Sequence, residues 1–341
     1  MSAIVVAHNS LPALRASLPP LLGELEQDDE LIVVDSGSSD RLAEEMPALA
    51  PRARLIIAPG NVGFAAGANA GVAAARGELV VLLNPDAEVR PGWARTMRAA
   101  AEGAWQGWMA LVTMNGGDQI NTSGGVLHFT GLGWAGQAGQ PVAAAPNRAA
   151  EVAFLSGACL AMARAEWLEL GGFPEHFFMY CEDVDLSLRV RLRGGRVAVL
   201  PDARVVHDYD FAKGPRKWRL LERNRWATIL RTYPGPLLLL VLPALLATEA
   251  AIWAAALQGR WARMKALATL DVIVALPRLV RERHDIQATR RVDSATFAAA
   301  MTSELSSPYL GAAARSGLVT RALGLYWALV CSLLRASSRS A

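Results

Sequence analysis

The sequence is poor in the features that most readily betray a function. Its three cysteines, Cys159, Cys181 and Cys331, are odd in number and far apart, and no CxxC spacing occurs. That excludes a disulfide framework and a zinc site built on cysteine pairs, and it fits a reducing compartment. The glycine-rich run Gly60–Gly71 lacks GK[ST] and contains no GxGxxG, so it indicates neither a P-loop ATPase nor a dinucleotide dehydrogenase. The net charge is only +3 and the pI near 8.9. In the first two hundred residues no basic stripe with interleaved aromatics marks a nucleic-acid binder. The start, Met1–His8, lacks a cationic stretch followed by a long apolar one, so no signal peptide is expected.

What is present is apolar. Of 341 residues, 52% are hydrophobic, and the mean hydropathy is +0.23, high for a freely soluble protein. Four short apolar runs, Ile4–His8, Leu31–Asp35, Ala53–Ala58 and Leu79–Leu83, alternate with helical patterns. They lack a two-residue alternation, as strands covered on both faces do, and they predict a parallel α/β sheet. Beyond Asp86 the pattern predicts a hairpin over Gln119–Phe129, a Gly/Ala/Pro-rich loop over Gly131–Pro146, and a strand at Val152–Ser156. Helices follow near Arg164–Leu170 and Glu182–Arg193, then strands Val197–Leu200 and Ala203–His207.

At Pro234 the composition shifts. Leu237–Leu257 is as long as a bilayer span of about 20 residues, yet it carries Pro243 and Glu249. A second apolar stretch, Gly317–Leu334, is interrupted by Arg321. An Arg-rich connector joins the two, and were both to span, it would fall on the side that the positive-inside tendency disfavours. Helices in or on the cytoplasmic interface, with arginines on anionic headgroups, are the expectation. The competing reading is an apolar pair packed on the rest of the protein.

Several residues could carry chemistry. Asp35 ends the second strand, where open α/β sheets bind ligands, and Asp40 offers a helix cap. Gly63, Gly67 and Gly71 recur every four residues in the Gly60–Gly71 run, which suits close helix-on-sheet packing. Asn61 and Asn69 are candidates to hydrogen-bond a nucleotide or sugar. Asn84-Pro85-Asp86 follows the fourth strand, and one carboxylate beside phosphate oxygens and water is how Mg²⁺ is usually held. Against this, an aspartate after proline is also common turn chemistry. Glu182-Asp183 could simply favour a helix N-terminus; beside the aromatic run Phe177–Tyr180 it could also serve as a general base. His207 is a candidate third contact for metal or phosphate, and Arg223 and Arg225 could clamp a diphosphate.

IVVAHNS, VVDSGSSD, GNVGFAAGANAG, LLNPDAEV and FFMYCEDVDLSLRVRLRGGRV, in that order over Ala3 to Tyr233, resemble the family 2 glycosyltransferases of the GT-A fold, especially the rhamnosyltransferase-like branch. The resemblance implies a GT-A catalytic domain over 1–233, a Rossmann-like, mostly parallel sheet with a smaller mixed β region on the acceptor side. A helical, membrane-associating region over 234–341 would follow. It implies that Ala7, His8, Asn9 and Asp35 border the base and ribose, with Asn61, Gly63, Asn69, Asn84, Gly157, Arg223 and Arg225 as further substrate contacts. Asp86 and His207 would hold Mg²⁺ or Mn²⁺. Asp183 would be the catalytic base, with Glu182 beside it. Asn84 stands where many members have the first Asp of a DXD motif, and the Gln of the QxxRW of processive synthases is absent.

The activity so implied is inverting transfer of one sugar from a nucleotide-diphosphate sugar, dTDP-rhamnose by branch, to a glycan or lipid-linked acceptor on the cytoplasmic side of a membrane. The rivals are a non-catalytic nucleotide-sugar-binding or scaffold protein and a sugar nucleotidyltransferase. The latter needs a Gly-rich basic loop after the first strand, where this chain has His8-Asn9-Ser10-Leu11-Pro12.

Overall fold

The four apolar runs become parallel strands β1 (Ser2–Ala7), β2 (Glu30–Asp35), β3 (Arg54–Ile57) and β4 (Leu79–Leu83). This is seen in a computed structural model that describes residues 1–208, 214–306 and 316–339. β1 is buried along its whole length and pairs in parallel with β2 and β4. The connecting helices are α1 (Leu11–Glu24), α2 (Leu42–Leu49) and α3 (Gly63–Ala74). The glycine spacing in α3 does what close packing requires. A Cβ at Gly67 would stand 2.6 Å from Val6, and one at Gly71 would collide with Ile4, so α3 lies directly on β1.

The sheet continues through elements that the sequence pattern hid. After β5 (Glu88–Val89) and α4 (Trp93–Ala99) come β6 (Gly107–Met114) and β7 (Gln119–Thr122). β8 (Gly125–His128), β9 (Gly133–Ala135), β10 (Ala150–Glu151) and β11 (Cys159–Ala163) follow. Then come α5 (Arg164–Leu170), α6 (Glu182–Leu192) and β12 (Val197–Val206). The order is β10-β12-β6-β11-β4-β1-β2-β3, with β5 on β12 and β7 on β6. β11 runs antiparallel between β4 and β6.

Three expectations change. Gln119–Phe129 is not a hairpin, because β7 pairs with β6 while β8 joins a separate three-stranded sheet, β13-β8-β9, with β13 at Met301–Thr302. The two strands expected around Pro201 are one, β12, with a register shift between Leu200 and Arg204. Proline has no N–H to give a ladder, so the strand bulges there rather than ending. The strand expected at Val152–Ser156 is not formed: the short β10 ends before it at Glu151, and within it Phe154 makes only an isolated bridge to Gly125.

Two units can be distinguished by where the chain contacts itself. The first is Met1–Gly125, Ala135–Val190 and Gly195–Tyr209, and the second is Val126–Trp134, Arg191–Gly194 and Asp210–Ala341. The second contains α7 (Arg216–Thr232), α8 (Gly235–Gln258), α9 (Ala262–Ala288), α10 (Ser294–Ala298) and α11 (Gly317–Arg339). Its centre is ionic as well as apolar. Lys265, 1% exposed, reaches Glu222 at 2.6 Å and Glu249 at 2.5 Å, and Arg225 meets the same two carboxylates at 3.0 and 2.9 Å. Two acids thus face two bases, which is how buried charge becomes tolerable. Phe129 stacks on Trp327 at 4.8 Å, seating α11.

The α3–β1 contact makes a direct prediction. Gly71→Val should destabilise the protein by about 1–3 kcal/mol, the usual cost of overpacking a filled site. Chemical denaturation with an unchanged m-value would read it.

Candidate active site

At the carboxyl ends of β1 and β2 the loops are laced together by side chains. Asp35, 5% exposed, accepts the Ser38 N–H at 2.8 Å. Asn9 accepts the Ser39 N–H at 2.7 Å, while its own N–H donates to Ser38 Oγ at 3.0 Å. His8 Nδ1 donates to the Ser36 carbonyl at 2.8 Å. Asn61 accepts the Gly63 N–H at 3.1 Å and the Ser36 hydroxyl at 3.4 Å. His8, Asn9, Asp35 and Asn61 therefore share one rim, above the buried Ala7. Asp40 does cap a helix, but an unexpected one: its carboxylate accepts the Leu11 N–H of α1 at 2.7 Å.

A second corner forms where β4 ends. Asp86 Oδ1 lies 3.1 Å from His207 Nε2, and the Asn84 amide is 3.4 Å from the same nitrogen. His207 closes β12 and is itself 4% exposed, whereas Asp86 reaches solvent. Its backbone N–H donates to Thr113 O, and its carbonyl accepts from Asn121. Two ligands on adjacent positions of an octahedral ion with bonds of about 2.1 Å stand roughly 3 Å apart, so this pair fits one edge of a Mg²⁺ or Mn²⁺ site. Among the described residues no group of three or more His, Cys, Asp or Glu could hold a metal. The remaining ligands must be substrate oxygens and water, the habit of such ions at phosphates. Glu88 pairs in β5 with Val206 and takes no part.

The acidic cluster sits at the start of α6. Asp183 accepts the Gly157 N–H at 2.9 Å and the Val184 N–H at 2.8 Å. Burial raises its pKa above the ordinary aspartate value, against the pull of those two N–H groups. Burial raises Glu182 further still, aided by repulsion from Asp183 and then Asp185, and its Oε2 is buried without a hydrogen-bond partner. Asp185 is spent elsewhere, paired with Arg189 at 2.7 Å in the core. The macrodipole reading and the base reading thus divide the cluster between them.

The turn leading into α6 is unusual. Phe178 has φ 64 and ψ −60, with Met179 N–H donating to Phe177 O at 2.7 Å. This is a γ-turn of the rare, strained hand. Tyr180 and Cys181 also have positive φ, at 73 and 65. Such conformations cost about 1–3 kcal/mol each and persist only when the surroundings enforce them. Here the Phe178 carbonyl accepts the Ala65 N–H at 3.1 Å. It is also 2.5 Å from where a Cβ on Gly63 would lie. Gly63, at φ +81, thus serves the turn by having no side chain.

Other candidates prove structural. Asn69 donates to Phe173 O and accepts the Phe173 N–H, both at 2.9 Å, so its amide clamps a loop rather than facing a ligand. Arg223 and Arg225 lie on α7 in the second unit. Arg225, 4% exposed, is committed to Glu222, Glu249 and the Thr130 carbonyl. It cannot serve as the expected diphosphate clamp without breaking that cluster. The sequence reading missed Ala158, whose carbonyl accepts the Asn84 N–H at 3.0 Å. A backbone group leaves no trace in residue type, and β11, which carries it into place, is short and rich in alanine.

A model of the glycosyl transferase family 2 matches residues 2–132. The N-acetylglucosaminyl-diphospho-decaprenol L-rhamnosyltransferase of Mycobacterium tuberculosis is 26% identical over 231 residues, 60% of this chain and 74% of that protein. Among solved structures, Staphylococcus aureus TarS 1–349 in complex with UDP-GlcNAc matches with a TM-score of 0.53 at 17% identity, over 98% of this chain and 91% of that one. GalNAc-T7 with UDP, GalNAc and Mn²⁺ matches with a TM-score of 0.56 at 15% identity, over 69% and 48%. The sheet is therefore of the GT-A kind, as the motifs implied.

Glu182 gives a pH prediction. The folded state holds its proton more tightly than the unfolded chain does. Its contribution is therefore fully present below the ordinary value of 4.5 and is lost as pH rises through the raised one. Glu182→Gln should flatten this decline, leaving the variant's melting temperature above that of the wild type at neutral pH and close to it near pH 4. A wild-type advantage at neutral pH would count against a buried, charge-averse Glu182.

Proposed function

From the premise that a chain carrying a family 2 glycosyltransferase domain of rhamnosyltransferase-like kind is a glycosyltransferase, we propose that it performs an inverting, metal-dependent transfer of a single sugar. The catalytic part is assigned to residues 1–233 and the helical, membrane-associated part to 234–341. The donor is a nucleotide-diphosphate sugar, with dTDP-rhamnose favoured by the kinship to the mycobacterial enzyme. The diphospho-decaprenol in that enzyme's name also motivates a lipid-linked or polysaccharide acceptor in cell-envelope assembly, met at the cytoplasmic face of the membrane.

The observation that carries this reading is Asp183, a half-buried carboxylate of raised pKa that accepts the Gly157 N–H. In the reaction it takes the proton of the acceptor hydroxyl. The acceptor oxygen then forms its bond to the anomeric carbon as the bond from that carbon to the diphosphate breaks. A carboxylate of raised proton affinity is the stronger base for this task. Developing positive charge on the sugar ring follows the general pattern of glycosyl chemistry. Beside Asp183, burial and then repulsion from its carboxylate raise the pKa of Glu182. Asp86 and His207 would hold Mg²⁺ or Mn²⁺, which offsets charge on the departing diphosphate. His8, Asn9, Asp35 and Asn61 would receive the nucleoside.

A non-catalytic binding protein would need neither a half-buried Asp183 with a raised pKa nor the Asp86–His207 pair, which is why catalysis is preferred. With donor and acceptor saturating, Asp183→Asn should lower kcat by about 10²-fold or more, in the range of general-base losses, with nucleotide binding unchanged. Asp86→Ala and His207→Ala should each raise the Mn²⁺ concentration for half-maximal turnover by about tenfold or more. Undiminished turnover of Asp86→Ala in EDTA would remove the metal from the reading.

A further inference from the structure

We propose that the second unit docks in the plane of one leaflet of an anionic phospholipid bilayer and does not cross it. The inference rests on the membrane-side part of the function proposed above and is independent of its chemistry.

Charge is divided sharply along the chain. Residues 210–341 carry 19 Lys and Arg against 8 Asp and Glu, while residues 1–209 carry 15 against 23. The modest overall charge thus conceals a strongly basic helical region beside an acidic remainder. On α9 this charge is ordered. Leu270, Ile273, Val274 and Val280 form one exposed apolar face. Arg263 and Arg281, eighteen residues or five full turns apart, lie on that same side, one beyond each end of the stripe. An apolar stripe bracketed by arginines suits the boundary between acyl chains and anionic headgroups. Each basic residue near such a surface adds about 1 kcal/mol. A second copy of the chain, equally basic in this region, would be repelled.

α8 and α11 are long and apolar enough to cross a membrane by length and composition, yet α8 is anchored against doing so. Glu249 lies roughly 4 Å along the axis from the middle of α8 at 1.5 Å per residue. There it is bound to Lys265, Arg225 and the Trp226 indole N–H. Were α8 to cross, it would draw α7 and α9 with it, and so carry Arg225, Glu222, Lys265 and the Arg219–Asp271 pair toward the hydrocarbon centre, where charge is most costly. Lying in plane, α8 keeps these groups on the protein side and gives Leu239, Leu246 and Leu257, each at least 60% exposed, to the acyl chains. α11 is pinned to α8 beside Pro243, where the Tyr326 hydroxyl donates to the Leu240 carbonyl. It exposes Leu325 in the same way.

The test uses the purified full chain with phosphatidylcholine vesicles, with and without phosphatidylglycerol. Flotation should require the anionic lipid and weaken with salt. The double variant Leu246→Glu, Val274→Glu, altered only at exposed positions, should lose more than tenfold in partition while its circular dichroism and nucleotide-sugar binding stay unchanged. In sealed inner-membrane vesicles with the cytoplasmic face outward, Gln258→Cys should react with an impermeant maleimide before detergent is added, read on its own peptide by mass spectrometry. Protection of that cysteine until detergent would mean that α8 crosses. Indifference to anionic lipid, or vesicle-free dimers that the double variant dissolves, would also overturn the proposal. Donor binding, measured separately, reports on the glycosyl-transfer reading, so the two can fail apart.

Discussion

Backbone groups of two adjacent residues tie the candidate site together. The Gly157 N–H binds the Asp183 carboxylate, and the Ala158 carbonyl binds the backbone N–H of Asn84, two residues before Asp86. Both belong to the approach of β11, whose antiparallel pairing sets Cys159 opposite Leu83. The separation between Asp183 and the Asp86–His207 pair is therefore set by strand register. Register in a buried sheet admits no gradual adjustment, because a slip of one residue would turn every side chain of β11 to the wrong face. Trp93 and Cys159 reinforce it from within. The indole N–H meets the sulfur at 3.4 Å, and burial pushes that thiol up to about 12, leaving it a packing group rather than a reactive one.

The parallel half was legible because its strands are continuous apolar runs punctuated by helices, and because glycine at intervals of four has one economical meaning. Asp86, His207 and Asp183, proposed above as metal and base residues, do stand just beyond a strand or at a helix start, as the pattern implied. What escaped detection was carried by backbone. β6 and β11 have no alternation and few β-branched residues, so they read as irregular chain. Ala158 contributes only a carbonyl. Asn69 and Arg225 have other partners for the converse reason: a polar side chain in a motif suggests a ligand, whereas here a loop amide and a buried carboxylate pair came first.

The helical region shows how one charged residue changes the meaning of its neighbours. Leu237–Leu257 alone is a bilayer-length run, and Glu249 a defect in it. In the folded unit Glu249 is the point at which three helices meet, and α8 is apolar on the outside because it is ionic on the inside. Pro243 fits the same account. It removes one rung of the helical ladder, and beside that gap Tyr326 finds a carbonyl.

The run from Phe178 to Cys181 has a consequence for how this protein can change. Three L-residues there adopt backbone angles that glycine would occupy freely. Replacing one of them with glycine would remove its backbone penalty, at the loss of a half-buried side chain, and in the same stroke loosen the approach to Asp183. Natural variation filtered for robustness alone would drift toward such replacements. That bulky side chains hold these positions marks a place where the chain forgoes durability for aim, and where improved folding would be a warning sign.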